Sequence, residues 1–209
     1  MKWMTYIASI RRFSSLNTNT KNELANIGQI HEQAVHNPGD PATKSSYDSF
    51  KHHVLNQYND LKNQGMKFHF TPNEPYTRSH DMRNDAANKQ LKVYNVDDLQ
   101  KDHPLAEMAP GTKQNYNSLF RAVHDIHGHA NTGHEFGPKG ELKAYQAHSK
   151  MFPKEALPAL ASETLGQNAW VNYGPHNPQS MSPQERPYAP QKAYAFPQDI
   201  AEKMVNHNA

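Results

Sequence analysis

The sequence predicts a mainly helical fold with a short two-stranded β element. Apolar residues recur at helical spacing along most of the 209-residue chain, the pattern of amphipathic helices packed around a core. Only two short segments, MKFHF (66–70) and LKVYNV (91–96), have the length and composition of strands. We therefore expect the helices to form the framework and the two strands to pair with each other.

The first part of the chain is predicted to hold two helices. Thr20 and Glu23 have the spacing of a capping box, which predicts a helix start at this point. Residues 37–41 (NPGDP) then break the chain, and a second helix is expected to end at Gly65. Its apolar face consists of Tyr47, Phe50, Val54, Tyr58 and Leu61. Between the two strands, Ser79 is placed to cap a short helix.

Three longer helices are predicted after the strands. The first runs from about Thr112 to His127, because its apolar residues fall on one face, and Gly128 is expected to end it. The second starts at Pro138, a favoured first-turn residue, and reaches Met151. The third covers residues 155–170, and a short helix near the C-terminus follows a Pro-rich stretch.

Composition narrows the classes of function. The net charge of +2 is too small to predict nucleic-acid binding, and no apolar run approaches the roughly 20 residues that span a bilayer. Because the chain has no Cys, a metal site would draw on His nitrogen and carboxylate oxygen. We expect a cytoplasmic protein whose partner is a small-molecule or protein substrate. The basic first 22 residues indicate an amphipathic helix, with an organelle transit peptide as the alternative.

Four of the 14 histidines lie within RAVHDIHGHANTGH (121–134). His124 and His129 are about 140° apart on an ideal helix, so they can converge only where the helix breaks, and Gly128 supplies a break. Two His and one carboxylate on one face of an octahedron form the site of non-haem Fe(II) oxygenases. His127 lies on the apolar face, where core packing or a substrate contact is expected, and His134 is expected in a loop.

Three downstream acids are candidates for the carboxylate ligand: Glu141, Glu155 and Glu163. Glu163 is preferred because it follows small and apolar residues, and a buried carboxylate needs a partner. Glu141 and His148 share one face of a helix and are expected to line a cavity. Asp125 has two interpretations, which are a surface ion pair with Arg121 and an acceptor that orients a ligand imidazole.

HDIHGHA (124–130) and the later ASETLG (161–166) resemble the iron-binding core of the aromatic amino acid hydroxylases. The resemblance implies that His124 and His129 are metal ligands and that Glu163 is the third. It covers about 45 residues, the spacing to the Glu is shorter than in that family, and the pterin-binding segments have no counterpart. A pterin cofactor is therefore not expected.

The whole chain also resembles a group of phage-encoded proteins that share RAVHD-x-x-GHA, then G-x-x-GE, then ET-x-GQN. This resemblance implies no activity, and it places a phage protein in the host cytoplasm. It implies that Glu141, His148, Gln167 and Asn168 belong to the same cavity. We assign Glu141, His148 and Asn168 to cofactor binding, and Gln167 to catalysis together with Asp125.

The preferred interpretation is a mononuclear non-haem Fe(II) oxygenase or hydroxylase, with Zn or Mn as alternative metals. A metal-dependent hydrolase, of the HD type or a zinc enzyme, is one alternative. A non-catalytic phage structural or interaction protein is the other. By segment, we expect an N-terminal helical part (1–65), a metal-binding catalytic core (66–173), and a Pro-rich arm with the C-terminal helix (174–209), folded together as one domain.

Overall fold

A computed structural model describes residues 16–95, 99–176, 181 and 185–208. The predicted fold class is confirmed, since the chain is mainly helical with one small two-stranded sheet. The expected amphipathic helix or transit peptide at the N-terminus falls mostly within residues 1–15, outside the described part. No helix in the described ranges is both long enough and apolar enough to cross a membrane.

Two helices open the described chain. Helix α1 (Thr18–Gln33) is capped by Asn17, whose side chain accepts a hydrogen bond from the Thr20 backbone N–H. The predicted capping box is therefore wrong, because Thr20 already lies in the first turn, where its hydroxyl bonds His207 Nε2 at 2.9 Å. Helix α2 (Pro41–Asn63) begins at the Asp40 cap and ends just before Gly65, which has a φ of 88°. The prediction for α2 is confirmed.

The two strands are parallel. Strands β1 (Lys67–Thr71) and β2 (Gln90–Tyr94) pair in register from Lys67 opposite Gln90 to Thr71 opposite Tyr94. Helix α3 (Ser79–Ala87) connects them, because a parallel pair needs a crossover. The predicted Ser79 cap is wrong. Arg78 occupies the cap position without a side-chain bond, and the Ser79 hydroxyl accepts from Arg83 instead.

The second half of the chain contains two π-helical segments. Helix α4 (Tyr116–His124) continues directly into the first π segment (Asp125–Ala130). Helix α5 (Pro138–His148) follows, as predicted. Helix α6 (Leu157–Ala161), the second π segment (Ser162–Gly166) and helix α7 (Gln167–Tyr173) then form one helical run. Helix α8 (Gln198–Val205) is the last element. The prediction that Gly128 ends its helix is wrong, since the backbone remains helical through Ala130.

One hydrophobic core extends from Leu16 to Met204 in sequence. Helix α2 packs against α4 and α6, and α1 packs against α7. The α1–α7 approach is close at Gly28, where a Cβ would lie 2.9 Å from the carbonyl oxygen of Ala169. Beyond α7, residues 187–197 form an extended arm, in which Ala189 packs on Trp170 and Val171. The core thus includes residues from all three predicted segments, whose boundaries stay predictions.

Candidate metal centre

The first π segment brings His124 and His129 to the same side of the helix. In a π-helix the hydrogen bond joins residues five apart, so such residues lie on successive turns. The Asn131 N–H donates to the Ile126 carbonyl at 2.9 Å in this pattern. The two imidazole centroids are 5.2 Å apart. The histidines therefore converge through a widened turn, whereas the sequence predicted convergence through a helix break.

Gly128 has a packing role between these histidines. A Cβ at this position would lie 3.0 Å from Ala144 Cβ and 3.2 Å from His124 Cε1. Its missing side chain thus lets helix α5 approach the π segment and lets the His124 ring lie against the backbone.

Helix α5 supplies the carboxylate. Glu141 Oε2 lies 3.7 Å from His124 Nε2 and 3.5 Å from His129 Nε2. One ligand atom from each of the three residues falls within 4.8 Å of the others. Nitrogen and oxygen ligands bound to one ion at about 2.0–2.2 Å lie roughly 3–3.6 Å apart. The three side chains can therefore hold one metal ion after a small contraction.

A chain of hydrogen bonds fixes the tautomer of His124. Gln57 Nε2 donates to the Met151 carbonyl at 3.4 Å, so its Oε1 is the atom that faces His148. His148 Nε2–H donates to this Oε1 at 2.7 Å, which makes His148 Nδ1 an acceptor. His124 Nδ1–H donates to His148 Nδ1 at 3.2 Å. The lone pair of His124 is thereby placed on Nε2, the atom nearest Glu141.

His129 is held in the same way by the loop before α5. Its Nδ1–H donates to the His134 carbonyl at 3.2 Å, so Nε2 is the nitrogen that faces Glu141 and that would bind a metal once deprotonated. The Phe136 ring packs edge-on against the imidazole with a centroid distance of 5.2 Å. Both histidines are almost fully buried, whereas the Glu141 side chain is 19% exposed. Solvent therefore reaches the group from the Glu141 side.

Electrostatics within the group favour an ionised carboxylate. Burial alone would raise the pKa of Glu141, but His129 and His124 outweigh it and lower this pKa to about 2. Burial likewise opposes protonation of His129, yet the Glu141 charge leaves the His129 pKa raised. Burial lowers the pKa of His124 and puts that of His148 well below its usual range. A neutral His148 is the form that the hydrogen-bond chain requires.

Asp125 lies half-buried next to these ligands. Burial raises the pKa of its carboxyl to about 7, although the Arg121 and His129 charges act in the opposite direction. The surface ion pair that the sequence suggested is replaced by a buried one, in which Arg121 donates to Glu74 at 2.6 Å. Asp125 was also expected to orient a ligand imidazole. The hydrogen bonds that orient His124 and His129 are instead made with His148 and with the His134 carbonyl.

Glu163, the predicted third ligand, lies in a different buried cluster within the second π segment. Its carboxylate accepts hydrogen bonds from the Tyr47 hydroxyl and from Gln167 Nε2, the latter at 3.1 Å. His103 Nε2 is 3.3 Å from Glu163 Oε1. The partner that a buried carboxylate needs is thus supplied by side chains of the protein. The structure groups Glu141, and not Glu163, with the two histidines.

Gln167 and Asn168 follow the second π segment on α7. Gln167 bonds Glu163 and also exchanges hydrogen bonds with Gln191 of the extended arm. Asn168 Nδ2 donates to the Pro138 carbonyl at 3.3 Å and so ties α7 to the start of α5. Neither residue belongs to the group of three ligand atoms.

Two supporting groups, Gln57 and Tyr47, were not predicted from the sequence. Gln57 lies on α2 among polar residues, and only the tertiary fold places it beside His148. Tyr47 was expected on the apolar face of α2, where its hydroxyl could not be paired with Glu163 116 residues away. Both side chains are buried by the packing of helices that are distant in sequence, and such packing has no local sequence signal.

Comparisons with known proteins give no relative for this chain. No family model, no curated protein and no solved structure matches it. The geometry of the site is therefore the basis for a functional assignment.

Proposed function

We propose that this protein is a metal-dependent enzyme with a mononuclear non-haem Fe(II) site of the oxygenase type. The observation that supports this proposal is the convergence of His124, His129 and Glu141, whose ligand atoms lie within 4.8 Å of one another. Two imidazoles and one carboxylate leave positions on an octahedral ion for O2 and substrate. Glu141 replaces Glu163 as the third ligand in this assignment.

The protein orients the ligands and buries both imidazoles. The Gln57–His148 chain and the His134 carbonyl hold each Nε2 toward Glu141, as outer hydrogen bonds do around metal ligands. A bound ferrous ion would supply O2 activation. Asp125, with a pKa of about 7, is available to accept or deliver a proton beside the site.

The first test is the metal content of protein purified without oxygen. We expect about one iron per chain in the wild type, because three preoriented ligands form one site. Glu141→Ala and His129→Ala should lose the metal while keeping the helical circular dichroism spectrum. Elemental mass spectrometry on each protein measures this directly.

Glu163→Gln is the matched control, since it changes the other buried glutamate. It should keep the metal, because its hydrogen bonds with Tyr47 and Gln167 lie in the separate cluster. Loss of metal in Glu163→Gln together with retention in Glu141→Ala would restore Glu163 as the ligand. Zinc in place of iron, with no O2 consumption, would favour the hydrolase alternative.

A further inference from the structure

A cavity lies beside the first π segment, between the C-terminal ends of α2 and α3. Its volume is about 310 Å³, at the lower end of the range for small-molecule sites. Leu61, Met66, Ile126 and Ala130 supply its apolar wall. None of the three candidate metal ligands lines it. It is therefore distinct from the metal centre.

The charged side chains in its wall are both cationic. Arg83 and Lys89 line the cavity, and no carboxylate of the described residues does. One guanidinium nitrogen of Arg83 donates to the Ser79 hydroxyl at 3.1 Å and to the Gly133 carbonyl at 3.4 Å. These bonds fix the guanidinium while its remaining N–H groups can serve a ligand. The local field favours an anion.

The backbone at Lys89 supports a role for its side chain. Lys89 has a φ of 58°, the only positive φ outside glycine in the described chain. The left-handed region is costly for a lysine and is occupied more readily by Gly or Asn. Such strain often accompanies ligand contacts. The turn between α3 and β2 thus places the Lys89 cation at the rim of the cavity, although its backbone conformation is unfavourable for a lysine.

His127 adds an imidazole ring to the same wall. Its Nε2 is buried and has no hydrogen-bond partner among the described residues. Because Nε2 itself is buried, the cavity is lined by other atoms of the imidazole ring, which offers a flat surface to a ligand. The sequence placed His127 on an apolar face and left core packing or a substrate contact open. The cavity favours the ligand contact.

We propose that this cavity binds a small organic carboxylate with a short apolar chain. Arg83 and Lys89 bind the carboxylate, and the apolar wall together with the His127 ring accepts the chain. A carboxylate suits Arg because the guanidinium can form two parallel bonds to it. This site is independent of the metal chemistry proposed above.

Butyrate, butanol and butylamine are probes with four carbon atoms each, and they carry an anionic, a neutral and a cationic head group. In two-dimensional ¹H–¹⁵N NMR titrations, butyrate should shift amide signals of residues around the cavity and saturate in the millimolar range. Butanol should bind about tenfold more weakly or worse, because it lacks the charge. Butylamine should not bind. Equal shifts from butanol, or butyrate shifts confined to other regions, would overturn the proposal.

Arg83→Gln/Lys89→Gln should weaken butyrate binding by about tenfold or more while keeping the overall spectrum. The control pair Lys101→Gln/Lys113→Gln removes two exposed positive charges elsewhere and should leave the affinity unchanged. Ala87→Leu, which fills the cavity and keeps both cations, should also weaken binding. If the control pair weakens binding as much as the first pair, the effect is general charge attraction and the proposal fails.

Discussion

At the residue scale, the imidazole tautomers define the candidate metal site. His124 and His129 each use Nδ1–H for a hydrogen bond and keep Nε2 for Glu141. His148 Nδ1 can accept the hydrogen bond from His124 only while the proton of His148 is on Nε2, where it is donated to Gln57. A metal site built in this way depends on a residue that does not touch the metal.

Replacement of His148 tests this dependence. His148→Phe keeps an aromatic ring between Phe120 and Phe152 but removes the acceptor for His124 Nδ1–H. We expect metal affinity to fall about 10–100-fold, with the helical fold retained. Chelator competition measures the affinity, and ¹⁵N NMR of the imidazoles reports the His124 tautomer.

His134→Ala is the control for this experiment. His134 contributes only its main-chain carbonyl to the site, so removal of its imidazole should leave the affinity close to that of the wild type. An unchanged His124 tautomer and unchanged affinity in His148→Phe would contradict the proposed hydrogen-bond chain.

The sequence predicted that His124 and His129 converge, but it paired them with Glu163, whereas the structure places Glu141 beside them. His124 and His129 are close in sequence, so the local motif carried the information. The choice between Glu141 and Glu163 depends on whether α5 or the second π segment packs against the first π segment. That choice follows from tertiary packing, and the apolar patterns of both helices are compatible with either arrangement.

At the element scale, most of the α-helices were predicted from the sequence, whereas the two π segments were not. Apolar periodicity located α2 and α4 because each packs one face against the core, and Pro138 located the start of α5. A π turn places one extra residue in a single turn, and a search for the 3.6-residue period of the α-helix does not detect it. Gly128 was therefore interpreted as a helix end.

Gly128→Ala tests the packing of α5 on the first π segment. The added Cβ would approach Ala144 Cβ and the His124 ring at 3.0 and 3.2 Å, so α5 must shift outward. We expect the free energy of unfolding to fall by about 1–3 kcal/mol and metal affinity to fall as Glu141 moves away. Urea unfolding and chelator competition measure the two effects.

Gly39→Ala is the matched control. A Cβ at Gly39 meets only Asn37 Oδ1, at 3.9 Å, so stability should change by no more than about 0.5 kcal/mol. If Gly128→Ala behaves like Gly39→Ala in both measurements, close packing at Gly128 does not set the position of Glu141.

At the scale of the whole molecule, the extended arm near the C-terminus packs against helix α1 near the N-terminus. Lys192 Nζ donates to the His31 and Glu32 carbonyls at 3.0 and 2.8 Å, which satisfies acceptors at the C-terminus of α1. The His31 side chain is buried below the arm. Its Nε2–H donates to the Pro190 carbonyl, and its Nδ1 accepts from the Tyr194 hydroxyl, both at 3.0 Å. A neutral imidazole satisfies both bonds.

This arrangement makes stability depend on pH. Burial lowers the pKa of His31 to about 4, whereas an unfolded chain protonates the same group near pH 6.5. The stabilisation is complete above about pH 6.5 and is lost as the pH falls toward 4, because only the unfolded state takes up the proton in that window. The contribution of His31 to the slope is about 1.4 kcal/mol per pH unit.

The contribution of His31 is measured by comparing the free energy of urea unfolding of the wild type and of His31→Gln between about pH 4 and 7. The variant should be less stable at pH 7, and its stability should fall less steeply with acid by about one proton. His52→Gln, which removes an exposed histidine of α2, should keep the wild-type slope. Parallel curves for the wild type and His31→Gln would mean that the arm does not hold His31 neutral. The hydrogen bonds of His31 with Tyr194 and Pro190 of the arm would then contribute little to the stability of the fold.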